Sequence, residues 1–213
     1  MTKLIFVRHG ETQTNVAGTW QGWSDPPLNS TGSAQAEATA DRLAAESTEI
    51  GGLYTSPLRR ALHTAQTIGK HLALEPRLVE QLKEIHFGDL EGITVKQMEN
   101  EYPELYRRWQ DKTDLSFQWP GGERRGDFFG RAADACKQIC QRHVIDTVVI
   151  VAHGGTIRAC LAHLLPGLLG QWWGYPLDNA GLTRVQATDD GAQLLTLNDT
   201  QHLSACRRDP IPG

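Results

Sequence analysis

The chain has 213 residues, of which 39% are hydrophobic and 22% are charged, with a formal net charge of -4 and a pI near 6.0. This length and composition predict one globular domain over residues 1–213 with a single good core. A mildly acidic surface gives no reason to expect nucleic acid or an anionic membrane as a partner, because neither would attract it.

The first apolar run, residues 4–7, ends at Arg8 and is too short for a signal peptide or a membrane span. None of the later apolar runs is long enough either. The four cysteines contain no Cys-x-x-Cys pair, and a chain of this length needs no disulfides, so we expect reduced thiols. These features predict a soluble cytoplasmic protein.

Three segments have the apolar, β-branched character of buried strands, namely residues 3–7, 52–54 and 147–152. A helix signal follows each of them. The first helix begins near Ser30, after a proline-containing loop. The second follows Ser56-Pro57, which predicts a serine N-cap and a proline at the first helical position.

The third helix opens at Gly154-Gly155, continues to about Leu165 and stops at Pro166-Gly167. Residues 182–187 and 193–197 flank the turn at 189–191 and predict a hairpin at the edge of the sheet. Together the elements predict an α/β fold, a three-layer sandwich with a mostly parallel central sheet, helices on both faces and this edge hairpin.

Residues 94–122 interrupt the alternation of strand and helix. They contain a predicted helix over 102–109 and a polar loop that includes Trp119 and Pro120. We interpret this stretch as an insertion over one end of the sheet that caps the active site.

Two of the predicted strands end in histidine, His9 and His153, and a glycine follows each. Ligands of open α/β sheets bind beyond the carboxyl ends of the strands, so the two imidazoles meet if these strands are neighbours. Glycine lets the backbone turn and present its amides to an anion, and the helix that starts near Gly155 directs its positive end to the same place.

Guanidinium groups suited to a phosphate dianion are near these histidines. Arg8 precedes His9, and Arg59 and Arg60 lie in the first turn of the second helix. Successive helical residues point about 100° apart, so one of this pair should face the site. The segment 82–92 offers Glu84 as a general acid, although composition alone does not select it over the two other carboxylates of the segment.

Four blocks in this order resemble the histidine phosphatase superfamily, also called phosphoglycerate-mutase-like, and the resemblance covers essentially the whole chain. The blocks are Arg8-His9-Gly10-Glu11-Thr12, Thr55-Ser56-Pro57-Leu58-Arg59-Arg60-Ala61, residues 84–92 and Ala152-His153-Gly154-Gly155. The resemblance implies that His9 is the nucleophile and Glu84 the proton donor, with Arg8, Arg60 and His153 as the phosphate cradle. It also implies a reaction without a metal ion or a cofactor.

Five further residues are expected at the edge of the cradle or against the substrate: Asn15, Gln21, Gly22, His86 and Gly154. For His86 a packing role agrees equally well with the sequence. The aromatic residues Trp20, Trp23, Trp109 and Trp119 either line the pocket or pack in the core. The pair Trp172-Trp173 is consistent with an interface in a homodimer.

Cys136 to Arg142 has the Cys-x5-Arg spacing of thiol phosphatases, but its intervening residues contain no glycine and follow a helical pattern, so we reject this site. The histidines at 63, 71, 143 and 163 lack catalytic neighbours and are expected on the surface or in satisfied helical positions. His202 lies within the resemblance, and the sequence gives it no physical role.

The chemistry predicted is hydrolysis of a small phosphorylated metabolite through phosphohistidine. One alternative is a cofactor-dependent phosphoglycerate mutase. The mutases resembled here usually have a longer, basic insertion and a longer C-terminal tail that keeps water from phosphohistidine, whereas residues 111–122 contain one basic side chain, Lys112. The other alternative is a non-catalytic relative that binds phosphorylated ligands, which the presence of both His9 and Glu84 disfavours.

Overall fold

The computed structural model describes residues 1–165, 169–188 and 191–206. Its centre is a sheet whose strands are β1 (Thr2–Arg8), β2 (Ile50–Thr55), β3 (Arg77–Leu78), β4 (Thr147–Ala152), β5 (Leu182–Thr188) and β6 (Gly191–Asp199). Across the sheet the order is β3-β2-β4-β1-β5-β6. The first four of these are parallel, and β5 and β6 are antiparallel, so the predicted hairpin forms one edge.

Helices surround this sheet, and short 3₁₀ turns occur in the connections. The helices of the described ranges are α1 (Gln13–Ala17), α2 (Ser30–Ala44), α3 (Arg59–Leu72), α4 (Val95–Glu101), α5 (Pro103–Gln110), α6 (Arg125–Arg142) and α7 (Gly154–Leu164). Within those ranges, none of the helices has both the length and the apolar character needed to cross a bilayer.

Alternate side chains of the central strands pack into two different cores, because successive residues of a strand point to opposite faces. Ile5 and Val7 of β1 pack against apolar residues of α2 and α3. Leu4 and Phe6 of the same strand pack with apolar residues of α6 and α7. β4 is buried along its whole length, as expected for a parallel strand covered on both faces. The predicted three-layer α/β sandwich is therefore confirmed.

The three predicted strands and the start of α2 at Ser30 are confirmed. Helix α7 begins at Gly154 and has Leu165 as its C-cap, while the predicted stop at Pro166-Gly167 lies outside the described residues. Of the predicted hairpin turn, positions 189 and 190 also lie outside them. The sequence did not predict β3, whose two residues are exposed and lack any apolar alternation.

The predicted start of the second helix was wrong by two residues. Helix α3 begins at Arg59 and its N-cap is Leu58, rather than Ser56 with Pro57 inside the helix. The hydroxyl of Ser56 is instead bonded to the buried ring of His153, at 2.8 Å, and accepts the Leu58 amide at 3.3 Å. Ser56 thus keeps a local bond to the chain that follows it and adds a tertiary partner, although the helix itself begins only at Arg59.

The stretch at residues 94–122 contains two helices, not one. Helix α4 begins with a capping box, in which Thr94 accepts the amide of Gln97 while the Gln97 side chain accepts the Thr94 amide. Pro103 then starts α5, where its fixed φ suits the first helical position.

Candidate active site

His9 and His153 follow neighbouring strand ends. Strands β1 and β4 are parallel with Arg8 opposite Ala152, so the next residue of each chain segment is a histidine. The ring centroids are 5.1 Å apart, and the side chains are buried, at 2% and 0% exposure. The two imidazoles therefore lie side by side beyond the carboxyl edge of the sheet.

The hydrogen bond of His9 fixes its tautomer. Its Nδ1 lies 2.8 Å from the carbonyl oxygen of Gly10, which accepts only, so Nδ1 carries the proton and Nε2 keeps its lone pair. Burial, followed by the charges of Arg60 and Arg8, holds the pKa of His9 well below its usual value. The ring is therefore a neutral imidazole with a free Nε2, which is the form that attacks an electrophile.

His153 is held by one contact and keeps one nitrogen free of protein partners. Its Nε2 is 2.8 Å from the Ser56 hydroxyl, while Nδ1 is buried and has no hydrogen-bond partner among the described residues. Burial lowers the pKa of His153 well below its usual value, and the charge of Arg60 adds to this effect.

Two guanidinium groups lie near His9, and of these residues Arg60 is buried and Arg8 is partly buried. Arg60 donates Nη1 and Nη2 to the carbonyl oxygens of Ser24 and Gly22, both at 2.8 Å, and Arg8 donates Nη1 to Leu177 at 2.6 Å. Burial lowers the pKa of each arginine to about 10, so both remain charged at neutral pH.

The Nε atoms of Arg8 and Arg60 are buried and have no partner in the described part of the chain. Each of these two cations near His9 therefore keeps one donor that the described part of the protein does not use. Arg59, the neighbour of Arg60, is exposed, so the helix does direct one arginine of the pair into the site.

Glu84 caps the N-terminus of α7. Its Oε2 accepts the amide of Gly155 at 2.9 Å, and its Oε1 accepts the amide of Ile85 at 3.0 Å. A carboxylate is favoured at this end of a helix by the unpaired amides and the helix dipole. A Cβ on Gly155 would lie 2.4 Å from Glu84 Oε1, so the approach requires glycine at that position.

The sequence did not predict Arg131, which holds the segment carrying Glu84. This arginine of α6 donates to the main-chain oxygens of Gln81 and Lys83, at 2.8 and 2.7 Å, and of Glu84, at 2.8 Å. It also forms a bidentate pair with Glu123, at 2.6 and 2.9 Å. Its acceptors are mainly carbonyl oxygens, which any residue type supplies, so residue identities gave no signal for it.

Four of these residues line one cavity of about 190 Å³, whereas His153 and Arg131 are not among its described lining residues. Its polar side includes Arg8, His9, Arg60, Glu84 and Arg158. Four of the predicted edge residues also line it: Asn15, Gln21, Gly22 and Gly154. His86 is not among the described lining residues. Its ring packs on Trp23, with centroids 4.7 Å apart, and its Nε2 is 3.7 Å from Glu91.

The rest of the cavity wall is aromatic. Trp23 is outside it, with 42% exposure and its Nε1 donating to the Glu84 carbonyl oxygen at 2.8 Å. Trp172 is 4% exposed and donates to the Lys112 carbonyl oxygen at 3.2 Å, so it packs within this chain and is not free for the interface considered above. The aromatic lining residues are Trp20, Phe87, Trp109, Trp119, Phe128, Trp172 and Trp173.

The remaining candidate residues have structural partners elsewhere. The thiol of Cys136 is buried in α6 beside Cys140 and Cys160, whose hydrogen bonds together with burial raise its pKa well above the usual value. A thiol held in this protonated form is not a nucleophile, which agrees with rejecting the Cys-x5-Arg site. His202 approaches the Thr39 hydroxyl at 3.1 Å and the Ala180 carbonyl oxygen at 3.2 Å, which gives it a packing role.

Comparison with known proteins gives a consistent result. The family model of the histidine phosphatase superfamily, branch 1, matches residues 4–200. Phosphoserine phosphatase 1 of Hydrogenobacter thermophilus is 34% identical over 204 residues, which are 95% of each chain.

Two solved structures are also similar. One is a phosphoserine phosphatase mutant from Entamoeba histolytica in complex with phosphoserine, with a TM-score of 0.84 and 32% identity over 95% of this chain and 100% of that chain. The other is mycobacterial glucosyl-3-phosphoglycerate phosphatase with VO3, with a TM-score of 0.82 and 30% identity over 93% and 99%.

Proposed function

The chain belongs to the histidine phosphatase superfamily and is a phosphatase, and we propose that it hydrolyses small phosphomonoesters through a phosphohistidine formed on His9. The observation that carries this proposal is the neutral imidazole of His9, whose Nε2 keeps its lone pair, placed beside the guanidinium groups of Arg8 and Arg60. Hydrolases that use a histidine nucleophile need both features, because the attacking nitrogen must be unprotonated and the phosphoryl oxygens must be neutralised.

In the first step Nε2 of His9 bonds to phosphorus as the ester P–O bond breaks. Glu84, in its protonated form, gives its proton to the departing oxygen, so the alcohol leaves neutral. The Gly10 carbonyl oxygen, bonded to Nδ1, stabilises the positive charge that develops on the ring. Arg8, Arg60 and His153 contact the phosphoryl oxygens in this proposal.

In the second step a water oxygen bonds to phosphorus and the P–N bond breaks. The Glu84 carboxylate accepts the proton of this water, which restores its starting form together with neutral His9. The amide of Gly155 and the N-terminus of α7 hold the carboxylate between the two steps. Phosphate and the alcohol are the products, and the aromatic wall limits the access of bulk water.

We place the substrate among small phosphorylated metabolites. By their names, the relatives compared above act on phosphoserine and on glucosyl-3-phosphoglycerate, and a cavity of about 190 Å³ supports a ligand of the smaller size. The four cysteines are unpaired, which supports a reducing, cytoplasmic compartment as the location.

The test compares wild type with His9→Ala on p-nitrophenyl phosphate, with His63→Ala as the matched control because His63 is exposed on α3. We expect His9→Ala to lose at least about 10³-fold in kcat and His63→Ala to keep the wild-type rate. Equal rates for His9→Ala and wild type would refute the assignment. With 3-phosphoglycerate, wild type should release inorganic phosphate, whereas formation of the 2-isomer instead would indicate a mutase.

A further inference from the structure

One arginine of the cavity has no role in the reaction described above. Arg158 lies in α7, one turn after Gly154, and its side chain is partly buried. Its Nε donates to the Tyr175 carbonyl oxygen at 3.0 Å, which anchors the side chain. Among the described residues, its two terminal nitrogens have no hydrogen-bond acceptor. Arg158 is one of the residues that line the cavity.

Arg125, the other arginine of the cavity without a role in the reaction, has acceptors for its terminal nitrogens. Arg125 donates Nη1 to the carbonyl oxygens of Asp111 and Asp114 and Nη2 to that of Trp109. Three of its five N–H donors are therefore used by the protein, and both terminal nitrogens are engaged. Arg158 is the one of these two arginines whose terminal nitrogens both lack an acceptor among the described residues.

The position of Arg158 is next to the phosphate cradle but on its outer side. The point that a Cβ of Gly154 would occupy is 3.4 Å from Arg158 Nη1 and 3.7 Å from Arg8 Nε. On the other side, the guanidinium carbon is 5.6 Å from the centroid of Trp173. Arg158 thus lies between the phosphoryl site and the aromatic wall, where the carbon skeleton of the alcohol must be placed.

Glu84 faces the same region. Its carboxylate acts to raise the pKa of Arg158, while burial acts more strongly to lower it, so the two side chains are within electrostatic reach. Because Glu84 is the proposed donor of the proton to the departing oxygen, Arg158 is on the side from which the alcohol leaves.

We propose that Arg158 is a specificity-determining residue that binds a carboxylate on the alcohol part of the substrate. This inference rests on the proposed phosphatase function. A guanidinium fork matches the two oxygens of a carboxylate, and a partly buried guanidinium whose terminal nitrogens lack an acceptor gains from an anion that replaces its lost hydration. Among the described lining residues Glu84 is the one acid, against four arginines, so an acidic substrate also suits the charge of the cavity.

The experiment uses two pairs of substrates that differ in the carboxylate. In the first pair, glycerol 3-phosphate has a hydroxymethyl group where 3-phosphoglycerate has the carboxylate. In the second, phosphoethanolamine lacks the carboxylate of phosphoserine. Phosphate release gives kcat and KM for wild type, Arg158→Leu, Arg158→Lys and the control Arg59→Leu, which removes the same charge from an exposed position.

For wild type we expect kcat/KM to be at least about tenfold higher for the acid in at least one pair. In Arg158→Leu this ratio should fall to near one, mainly through a higher KM for the acid, while Arg158→Lys recovers part of it and Arg59→Leu keeps the wild-type ratio. If Arg158 had only a structural role, its replacement would lower kcat/KM equally for the two substrates of a pair.

Three outcomes would overturn the proposal for Arg158. The first is an equal loss of kcat/KM on both substrates of a pair in Arg158→Leu, and the second is an unchanged ratio of kcat/KM in that variant. The third is a wild-type ratio near one in both pairs. Wild type that hydrolyses the substrates without preferring the acid leaves the phosphatase reaction on His9 standing. Wild type that releases phosphate neither from these four esters nor from p-nitrophenyl phosphate would instead contradict the proposed function itself.

Discussion

Arg131→Met removes a guanidinium from beneath the proposed proton donor. Three carbonyl oxygens, including that of Glu84, lose a charged donor, and the Glu123 carboxylate loses a bidentate partner. A charge-assisted hydrogen bond contributes about 1.5–3 kcal/mol, but the two paired side chains keep 18% and 15% exposure, so water replaces part of the loss. We expect the free energy of unfolding to fall by about 2–3 kcal/mol.

The catalytic consequence should depend on the leaving group. When the Glu84 segment shifts by about 1 Å, proton delivery to an alkyl oxygen slows, and we expect kcat on glycerol 3-phosphate to fall about 10- to 100-fold. p-Nitrophenolate leaves with little help from an acid, so its rate should fall less than about threefold. Steady-state kinetics on both esters, with urea unfolding of the same samples, measures the two effects.

Arg124→Met is the matched control for this variant. Arg124 is the N-cap residue of α6, is half exposed and pairs with Asp127 on the surface, so its loss should leave the free energy of unfolding nearly unchanged. Equal losses of kcat on the alkyl and aryl esters in Arg131→Met would refute the positioning argument, as would unchanged kcat on both.

Two further predictions concern Glu84 and the two histidines. Gly155→Ala places a Cβ 2.4 Å from Oε1 of Glu84, the end of a flexible side chain that can move away. The kcat on alkyl phosphates should therefore fall at least tenfold, with little change in the thermal unfolding temperature. The control is Gly130→Ala in α6, where no atom lies within 4 Å of the new Cβ, and it should keep kcat and gain about 0.5–1 kcal/mol of stability. Because the pKa values of His9 and His153 are lowered, their ring ¹⁵N signals should remain those of neutral imidazole at pH 6.5, and a midpoint at or above that pH would contradict the burial argument. The unfolded chain binds these protons as pH falls below about 6.5, so stability should decrease there by up to about 1.4 kcal/mol per pH unit for each histidine.

The sequence predicted those parts of the fold that each segment specifies alone. The β-branched run of β4 is buried on both faces and was predicted at its observed bounds. Its neighbour β1 brings His9 beside His153 because parallel strands end at one edge. In contrast, β3 exists through its pairing with β2 and has no apolar pattern of its own.

The parts of the site that the sequence missed depend on tertiary partners. Ser56 accepts the Leu58 amide, as its local signal suggests, but nothing in the sequence showed that its hydroxyl also contacts the ring of His153. Arg131 and Arg158 bond to main-chain oxygens of segments far away in the chain, and such acceptors have no residue type by which to recognise them. Among several arginines of similar context, only the folded chain distinguishes those that retain free donors.

Free donors around His9 also connect stability with function. Within the described residues, the Nε atoms of Arg8 and Arg60 and Nδ1 of His153 are buried without a partner, and each such group costs the folded state about 1–3 kcal/mol. All three belong to residues of the proposed site around His9. In the proposed reaction, the phosphoryl oxygens on His9 accept hydrogen bonds from these groups as phosphorus is transferred. The free energy that the unpaired groups cost the folded state is then recovered in the step that the proposed site promotes.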